Sequence, residues 1–600
     1  MSRPSAVLFS SLTLVLGASL YGAPETSQIP TLEDRSDEAP LAKVFDLADP
    51  TADAEWRSEK LGDAVNKQLK ALGKAFAKGD FADAPIATGA KSNALKPATV
   101  LSYSDDAISV RRSMASPQPR DLDSDLLEAL ESLRASYAAD GEVRVKFKVV
   151  GVALPGEDGL ARSAALLEIV GDASEAGSRR NHSARWELTW EVPEGAEEKP
   201  RIRSLVSSQY EETTAASILF SESTRGLLGE VPSFNEQLIH GADYWYGNLD
   251  VSFGIHQGNQ GVAVGDVNGD GHDDLLVCQP AGLPLRLYIR QEDGRLRDAT
   301  AESGLDWLDN ARGALWVDLD GDRDQDLLAT LNYSLVVFEN TGGAKFVRKA
   351  VIDIHSWPAS IAGADYDLDG DIDVYVCGYN PRGETAPGDI FANPVPYHDA
   401  NNGARNFFIE NLGGFRFEDA TKAVGLSENN RRFSFAASWE DYDNDGDPDL
   451  YVANDFGRNN LFRNDLGEDG NRTFRDVAEE AGVEDIAAGM SVSWADYDRD
   501  GLPDLYTSNM FSAAGNRITE QNVFKPRLDT GTRSDIRRHA RGNTLYRNRG
   551  DGTFEDVSEN AGVTVGRWAW GSHFADFNND GNEDIYVANG FFSTPDSGDL

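Results

Sequence analysis

The chain has 600 residues, 40% of them hydrophobic, and 56 Lys and Arg stand against 100 Asp and Glu for a formal net charge of −44. That apolar share is enough to build buried cores, which excludes a wholly disordered chain. Two Cys exclude a disulfide scaffold and a cysteine-rich zinc protein, and the negative charge excludes duplex nucleic acid as a partner, because phosphates would repel it.

Residues 1–23 carry Arg3 and then an apolar stretch, Ala6 to Leu20, that ends in small residues. This is the pattern of an export signal, and it is too short for a comfortable membrane span. The first cysteine is Cys278, so no lipoprotein anchor is expected. No later apolar run reaches about 18 residues, so no membrane-spanning helix is expected either. The protein is therefore read as exported: secreted, periplasmic or on the cell surface.

Residues 24–52 are rich in Pro, Asp, Glu, Ser and Thr and read as a linker. Leu61, Val65, Leu69, Leu72 and Phe76 then recur at helical spacing until Gly79, and Leu126, Leu130, Leu133 and Tyr137 repeat the pattern. Strands follow. Val143, Val145, Phe147 and Val149 alternate with charged residues, as do Trp186, Leu188, Trp190 and Val192 with polar ones, and 161–170 and 201–210 are further strands. Helices followed by antiparallel strands predict an α+β domain over 53–212. Its element order and the "KGDF" after the first helix resemble the nuclear-transport-factor-like (SnoaL-like) cone fold. No Asp/His pair is placed in it by the sequence, so an interaction or spacer role is expected.

From about residue 240 one phrase repeats: "AVGDVNGDGHDDLLV", "LWVDLDGDRDQDLLA", "AGADYDLDGDIDVYV", "SWEDYDNDGDPDLYV", "SWADYDRDGLPDLYT" and "HFADFNNDGNEDIYV". The copies recur about every 50 residues with two longer intervals, a period that signals a solenoid or propeller. Between them lies a second phrase, as in "LFRNDLGEDGNRTFRDVAEEAGV" and "LYRNRGDGTFEDVSENAGV", with short strands around a Gly turn. Four short strands per repeat make a propeller blade.

Each Asp phrase follows Asp-x-Asp/Asn-x-Asp-Gly-x-x-Asp. In a tight loop, side chains at positions 1, 3 and 5 converge, position 7 offers its carbonyl, position 9 closes the shell, and Gly at position 6 permits the turn. Clustered carboxylate oxygens suit Ca²⁺, which takes six to eight ligands at about 2.3–2.6 Å; Mg²⁺ demands a stricter octahedron, and the lack of His or Cys disfavours zinc and copper. Strands rather than helices flank each loop, which excludes an EF-hand. The predicted ligands are Asp266, Asn268, Asp270 and Asp274; Asp318, Asp320, Asp322 and Asp326; Asp365, Asp367, Asp369 and Asp373; Asp441, Asp443, Asp445 and Asp449; Asp496, Asp498, Asp500 and Asp504; and Asp576, Asn578, Asp580 and Asp584. About six calcium sites follow. The Asp318 loop is the weakest of them, because Arg323 stands where the others have Gly.

These loops resemble the FG-GAP/VCBS repeat of integrin-α-like propellers, over roughly 255–600. The finer wording is similar to the cartilage-acidic-protein and UnbV (ASPIC) group, whose calcium ligands map onto the positions above. That group often carries a further small ASPIC domain, which a chain ending at Leu600 is expected to lack. The resemblance implies a mostly β fold: an integrin-α-like propeller of six or seven blades, seven favoured, behind the small α+β domain. Residues 213–254 form a connector and, with the residues up to about 260, are expected to supply closing strands, since an open ring leaves exposed edges.

Two insertions are candidate partner-binding loops. The first, 379–405, holds Tyr379, Pro381, Pro394, Pro396, Tyr397 and His398. The second, 509–541, holds Arg517, Lys525, Arg527, Arg533, Arg537, Arg538 and Arg541, and is expected to be ion-paired to the protein's own acidic surface. Trp316, Trp439, Trp494 and Trp570 are expected to pack the blades, and Cys278 and Cys377 to be two buried thiols. The His residues complete no Ser/His/Asp or metal set, so no catalytic constellation and no enzyme is expected. The reading is an exported calcium-binding propeller that presents loops to a protein or glycan. The alternatives are a carbohydrate-active propeller enzyme, a lyase or hydrolase, and a structural cell-envelope component.

Overall fold

The computed structural model describes residues 57–114, 122–175, 177–192, 199–217, 220–240, 244–245, 248–249, 261–381, 394–468, 470–519 and 528–590. The export signal of 1–23, the linker of 24–52 and part of the connector therefore lie outside the described residues, as do Lys525 and Arg527. The chain divides into two compact units, one of Met1–Ser221 with Ala513–Leu528 and one of Glu222–Ser512 with Asp529–Leu600.

In the first unit, helix α1 (Arg57–Lys78) buries Leu61, Val65, Leu69, Leu72 and Phe76 along one stripe. Gly79, with φ of 69°, ends it; a left-handed residue just past a helix costs glycine nothing. Helix α2 (Leu126–Arg134) starts at Asp125, whose side chain accepts from the Leu127 and Glu128 amides. Eight strands form one sheet: β1 (Ile86–Ser92), β2 (Thr99–Ser104), β3 (Ile108–Ser113), β4 (Ser124–Asp125), β5 (Val143–Ala153), β6 (Leu160–Asp172), β7 (Arg179–Glu191) and β8 (Arg201–Ala215). The order is β2-β3-β8-β7-β6-β5, with β1 parallel to β8 and antiparallel to β4. Strand β7 turns Trp186, Leu188 and Trp190 into the core, where they join the α1 stripe. Such a period-2 face against a helical stripe is what holds the layers together. Helix α3 (Ala513–Thr519) also belongs to this unit. Its Arg517 grips Glu59 of α1 with two hydrogen bonds, 2.7 and 3.2 Å.

The sheet also buries a pair that the sequence did not announce. Register sets His182 of β7 opposite Glu212 of β8. The His182 Nε2 lies 2.7 Å from the Glu212 carboxylate and its Nδ1 lies 2.9 Å from the Tyr137 hydroxyl. His182 is 1% exposed and both ring nitrogens are engaged. The His182 hydrogen bond holds Glu212 down at about 2 against the effect of burial, with Arg180 assisting, and burial lowers the His182 pKa. The signs agree. A depressed Glu212 contributes stability above its unfolded pKa of about 4.3, and this is lost as pH falls toward 2. A depressed His182 favours the neutral ring, so stability is also lost as pH falls below about 6.5. The unfolding midpoint of this unit is expected to drop from about pH 6.5 through His182 and, below about pH 4.3, through Glu212 as well. Glu212→Gln should lower the pH 7 midpoint and flatten the limb below about pH 4.3, and an unchanged slope there would rule Glu212 out as its source.

The second unit is built from repeated sheets. Sheet 1 comprises Val262–Gly265, Asp274–Val277, Arg286–Arg290 and Leu296–Asp298. Sheet 2 comprises Ala311–Val317, Asp326–Leu331, Ser334–Asn340 and Phe346–Asp353; sheet 3, Ser356–Ala364, Asp373–Pro381, Phe407–Asn411 and Phe417–Asp419. Sheet 4 comprises Ser434–Glu440, Asp449–Asn454, Asn460–Leu466 and Arg472–Asp476; sheet 5, Gly489–Ala495, Asp504–Asn509, Thr544–Asn548 and Phe554–Asp556. Among the described residues sheet 6 has two strands, Ala569–Ala575 and Asp584–Asn589. Each is an antiparallel meander, and the first strands of successive sheets abut. Phe435 and Trp570, on the first strands of sheets 4 and 6, meet with ring centroids 5.8 Å apart, so these strands converge. The result is a mostly β, propeller-like arrangement.

Trp316, Trp439 and Trp494 pack against Phe346, Phe474 and Phe554 of the fourth strands of their own sheets, at 5.4, 5.8 and 6.2 Å. They are packing residues, whereas Trp570 meets Phe435 instead. Cys278 and Cys377 are buried free thiols.

Candidate metal centres

In all six sheets the Asp phrase is the connection between the first and second strands. Position 9 is the first residue of the second strand and pairs with the last residue of the first, as in Asp274 with Gly265, Asp449 with Glu440 and Asp584 with Ala575. The ladder therefore pins both ends of the loop, and positions 1 to 8 must turn back within it. The loop wraps around its first carboxylate. The amide of position 6 donates to Oδ2 of position 1 in every copy, from Gly271 to Asp266, Arg323 to Asp318, Gly370 to Asp365, Gly446 to Asp441, Gly501 to Asp496 and Gly581 to Asp576, at 2.7–3.0 Å.

Position 6 is left-handed throughout, with φ from 78° to 100°. Arg323 adopts this conformation at 78°, as its glycine counterparts do. A left-handed non-glycine residue costs about 1–2 kcal/mol. Arg323→Gly is therefore expected to raise stability by about 1 kcal/mol, read as a higher urea midpoint at unchanged slope. An equal or lower midpoint would mean that contacts of the Arg323 side chain outweigh the strain. Position 4, which the sequence reading passed over, is left-handed as well, at Gly269, Gly321, Leu368, Asn444, Arg499 and Asn579. Gly or Asn in four of the six copies was the signal for it.

The carboxylates gather unevenly. Asp318, Asp320 and Asp326 bring oxygens within 4.8 Å of one another, as do Asp365, Asp367 and Asp373; Asp441, Asp443 and Asp449; and Asp496, Asp498 and Asp500. Positions 1, 3 and 9 thus meet in loops two to four, while Asp322, Asp369 and Asp445 stand outside those groups, as does Asp504 in loop five. In loops one and six, position 3 is Asn. There the side-chain amide turns to the carboxylate at position 5, Asn268 to Asp270 at 2.9 Å and Asn578 to Asp580 at 3.1 Å.

The closing aspartate is the buried member. Asp274, Asp326, Asp373, Asp449 and Asp504 are all nearly inaccessible. Each accepts one amide from position 2 of its loop and one from the third strand of its sheet. For Asp449 these are Tyr442 at 3.3 Å and Asn464 at 2.8 Å. Burial, reinforced by neighbouring carboxylates, pushes Asp326 up to about 6, Asp373 and Asp504 to about 7 and Asp449 to about 8. Burial and the like charges at positions 1 and 5 also raise Asp320, Asp367, Asp443 and Asp498 at position 3. Asp443 Oδ1 is buried without a hydrogen-bond partner. Repelling carboxylates around an unsatisfied buried oxygen are the environment a hard divalent cation stabilises, so the residues fit such an ion.

The two insertions meet at the second unit. The Tyr397 ring lies 5.1 Å from His539, which also stacks on Phe456. Helix α4 (Thr530–Ala540) carries Arg538, which pairs with Asp485 at 2.9 Å and with Asp556 at 2.7 Å, and Arg541 beyond it joins Asp556 at 2.8 Å. With Arg517 held by Glu59, these three arginines are committed to the protein's own acids. Residues 382–393 of the first insertion lie outside the described residues.

The FG-GAP-like repeat family matches residues 266–329, 318–376, 441–507 and 536–587, stretches that contain the closing aspartates of all six loops. The chain carries FG-GAP repeats. It is similar to cartilage acidic protein 1 of Mus musculus, 25% identical over 308 residues, which is 45% of this chain and 44% of that protein. The counterpart of Xenopus tropicalis is 26% identical over 278 residues, 42% of this chain and 40% of that protein. The FG-GAP chain thus spans less than half the length of the curated relatives it matches. Among solved structures, an Agrocybe aegerita lectin aligns over 85% of this chain and 98% of its own at 13% identity and a TM-score of 0.30. The V. cholerae biofilm matrix protein Bap1 aligns over 51% and 40% at 14% identity and 0.26. Scores this low establish no shared fold. No helix among the described residues is long and apolar enough to cross a membrane.

Proposed function

We propose that this FG-GAP-repeat protein is an exported calcium-binding propeller that acts as an interaction module for a protein or glycan partner. The α+β domain of 53–212 precedes the repeats as a spacer or second contact surface. Calcium is held by the carboxylates and Asn side chains at positions 1, 3, 5 and 9 of each loop, with the position 7 carbonyl completing the shell. The observation that carries the reading is the repeated burial of the closing aspartate among like charges. Isolated acidic turns keep their carboxylates in water, whereas here the closing carboxylate of five loops is desolvated beside like charges, which costs stability unless a cation shares the site. The ion stiffens each sheet, so the loops at the opposite strand ends, where Tyr397 and His539 meet, are presented on a rigid support. Export is supported by the apolar segment of 1–23 and by the match of such sites to the calcium levels outside cells.

The direct test is isothermal titration of calcium-stripped protein with CaCl₂ and with MgCl₂. Saturable uptake of about four to six Ca²⁺ per chain, weaker with Mg²⁺, is expected. Uptake of fewer than two ions, or equal affinity for both metals, would sink the reading.

A further inference from the structure

Four asparagines outside every ligand set recur at one position, near or at the end of the third strand: Asn340, Asn411, Asn464 and Asn548. Within their own sheets the amides of Asn340, Asn464 and Asn548 also donate to the position 8 carbonyls of Gln325, Pro448 and Pro503, at 3.2, 3.2 and 3.0 Å. Two further bonds recur in each of the four. Its main-chain N–H donates to Oδ1 of the closing aspartate of its own sheet: Asp326, Asp373, Asp449 and Asp504, at 2.8, 2.9, 2.8 and 2.8 Å. Its side-chain amide donates to the carbonyl of position 2 in the loop of the preceding sheet: Val267, Leu319, Tyr366 and Tyr442, at 2.8, 3.1, 2.9 and 2.8 Å. The position 2 residue in turn donates its N–H to Oδ2 of its own closing aspartate: Asp274, Asp326, Asp373 and Asp449, at 3.2, 3.0, 3.4 and 3.3 Å.

These bonds join end to end. Asp504 leads through Asn548 and Tyr442 to Asp449, on through Asn464 and Tyr366 to Asp373, through Asn411 and Leu319 to Asp326, and through Asn340 and Val267 to Asp274. Every residue of the chain is buried, so water does not compete for its links. Position 2 lies between the ligands at positions 1 and 3, so fixing it fixes both. Sheet 1 follows no earlier Asp loop in the sequence and has Arg290 at the corresponding place. The Arg290 N–H still donates to Asp274, at 2.8 Å. The closing bond is thus kept where an asparagine is not, which separates the two roles.

We propose that Asn340, Asn411, Asn464 and Asn548 couple the cation loops in series, so that an ion bound in one repeat raises the affinity of the loop in the repeat before it. The proposal rests on the calcium reading above. An ion orders its closing aspartate, which orders the asparagine, which orders position 2 of the neighbouring loop. The second ion then enters a loop whose ordering entropy is already spent. Asparagine suits this place because its amide donates while its main chain stays in the ladder.

The test is calcium titration of the stripped full-length protein and of Asn464→Ala, which keeps every ligand and the main-chain bond to Asp449. The wild-type isotherm is expected to be steeper than independent sites allow. Asn464→Ala is expected to bind the same number of ions with a shallower isotherm and with one ion, that of the Asp365 loop, held at least fivefold more weakly, the low end of usual coupling factors. An isotherm of unchanged steepness and affinity overturns the proposal, even if the stripped variant melts earlier, because a purely structural bond lowers melting without touching cooperativity. Asn411→Ala repeats the test one junction along if Asn464→Ala does not fold. A wild-type chain that takes up no calcium removes the underlying reading itself, whereas normal uptake with unaltered variants removes only the coupling.

Discussion

Stripping calcium is expected to lower the unfolding temperature of the repeat unit by at least ~10 °C, with the deficit growing as pH rises. Each site filled to about 100 times its dissociation constant adds about 2.7 kcal/mol if the unfolded chain does not bind. Four filled loops would add roughly 10 kcal/mol, and for a large unit each kcal/mol moves the midpoint by about 2–4 °C. The pH dependence follows from the closing aspartates. In the metal-free state Asp326, Asp373, Asp449 and Asp504 lie at about 6, 7, 8 and 7, raised by burial above the usual carboxylate value. A raised carboxyl contributes stability that is present below its unfolded pKa of about 3.9 and is lost as pH rises through the folded value. Calcium-stripped protein should therefore melt progressively lower from pH 5 to pH 8. Calcium must displace the same protons, so its stabilising effect should grow over the same window. Differential scanning calorimetry at pH 5, 6.5 and 8, with and without millimolar Ca²⁺, reads both trends. A calcium effect independent of pH would show that these buried carboxyls do not hold the ion.

Arg134→Ala is expected to destabilise the first unit by about 2–4 kcal/mol, the cost of leaving buried acceptors without a donor. The Arg134 guanidinium is almost wholly buried and spends its N–H groups on five carbonyls. Nε donates to Phe76 at 3.0 Å, Nη1 to Tyr137 and Ala138 at 3.2 and 3.1 Å, and Nη2 to Ala77 and Ala139 at 3.4 Å each. Phe76 and Ala77 lie in the last turn of α1, and residues 137–139 follow α2, so one side chain ties the end of α1 to the segment beyond α2. Phe76 and Ala138 keep a second donor, the Gly79 and Gly141 amides, and Ala139 is exposed, so the cost falls on the carbonyls of buried Tyr137 and half-buried Ala77, at about 1–3 kcal/mol each where water does not reach. Arg134→Lys keeps the charge but offers three donors in place of five, and should recover less than half of the loss. Thermal unfolding followed by far-ultraviolet circular dichroism checks the order wild type, Lys, Ala. A midpoint change below about 3 °C in the Ala variant would show that solvent takes over the arginine's role.

Much of this was legible in the residues. Leu61 through Phe76 at helical spacing lie on one face of α1, and Trp186, Leu188 and Trp190 lie on one face of β7, because side-chain direction follows backbone period within a few residues. The Asp spacing was informative for the same reason: positions 1, 3 and 9 sit in one hairpin connection, so their convergence depends on local turns. Even there, tertiary structure added what spacing does not carry. Position 4 is left-handed at Leu368 and Arg499, residues with no preference for it, because the strand ladder pins the ends of the loop.

The sequence by itself determined the repeat, the acidic residue types of its loops, the strand and helix periods and the acidic character. Each of these is written within about a dozen neighbouring positions. Only the tertiary structure decided which distant residues share a site. His182 faces Glu212 because β7 and β8 pair in one register, Tyr397 reaches His539 because the insertions of sheets 3 and 5 meet at Phe456 beside sheet 4, and Asn464 touches Tyr366 because sheets 3 and 4 abut. Such contacts arise from the packing of whole sheets, whose free energy is summed over many side chains, so no short stretch of the chain encodes them.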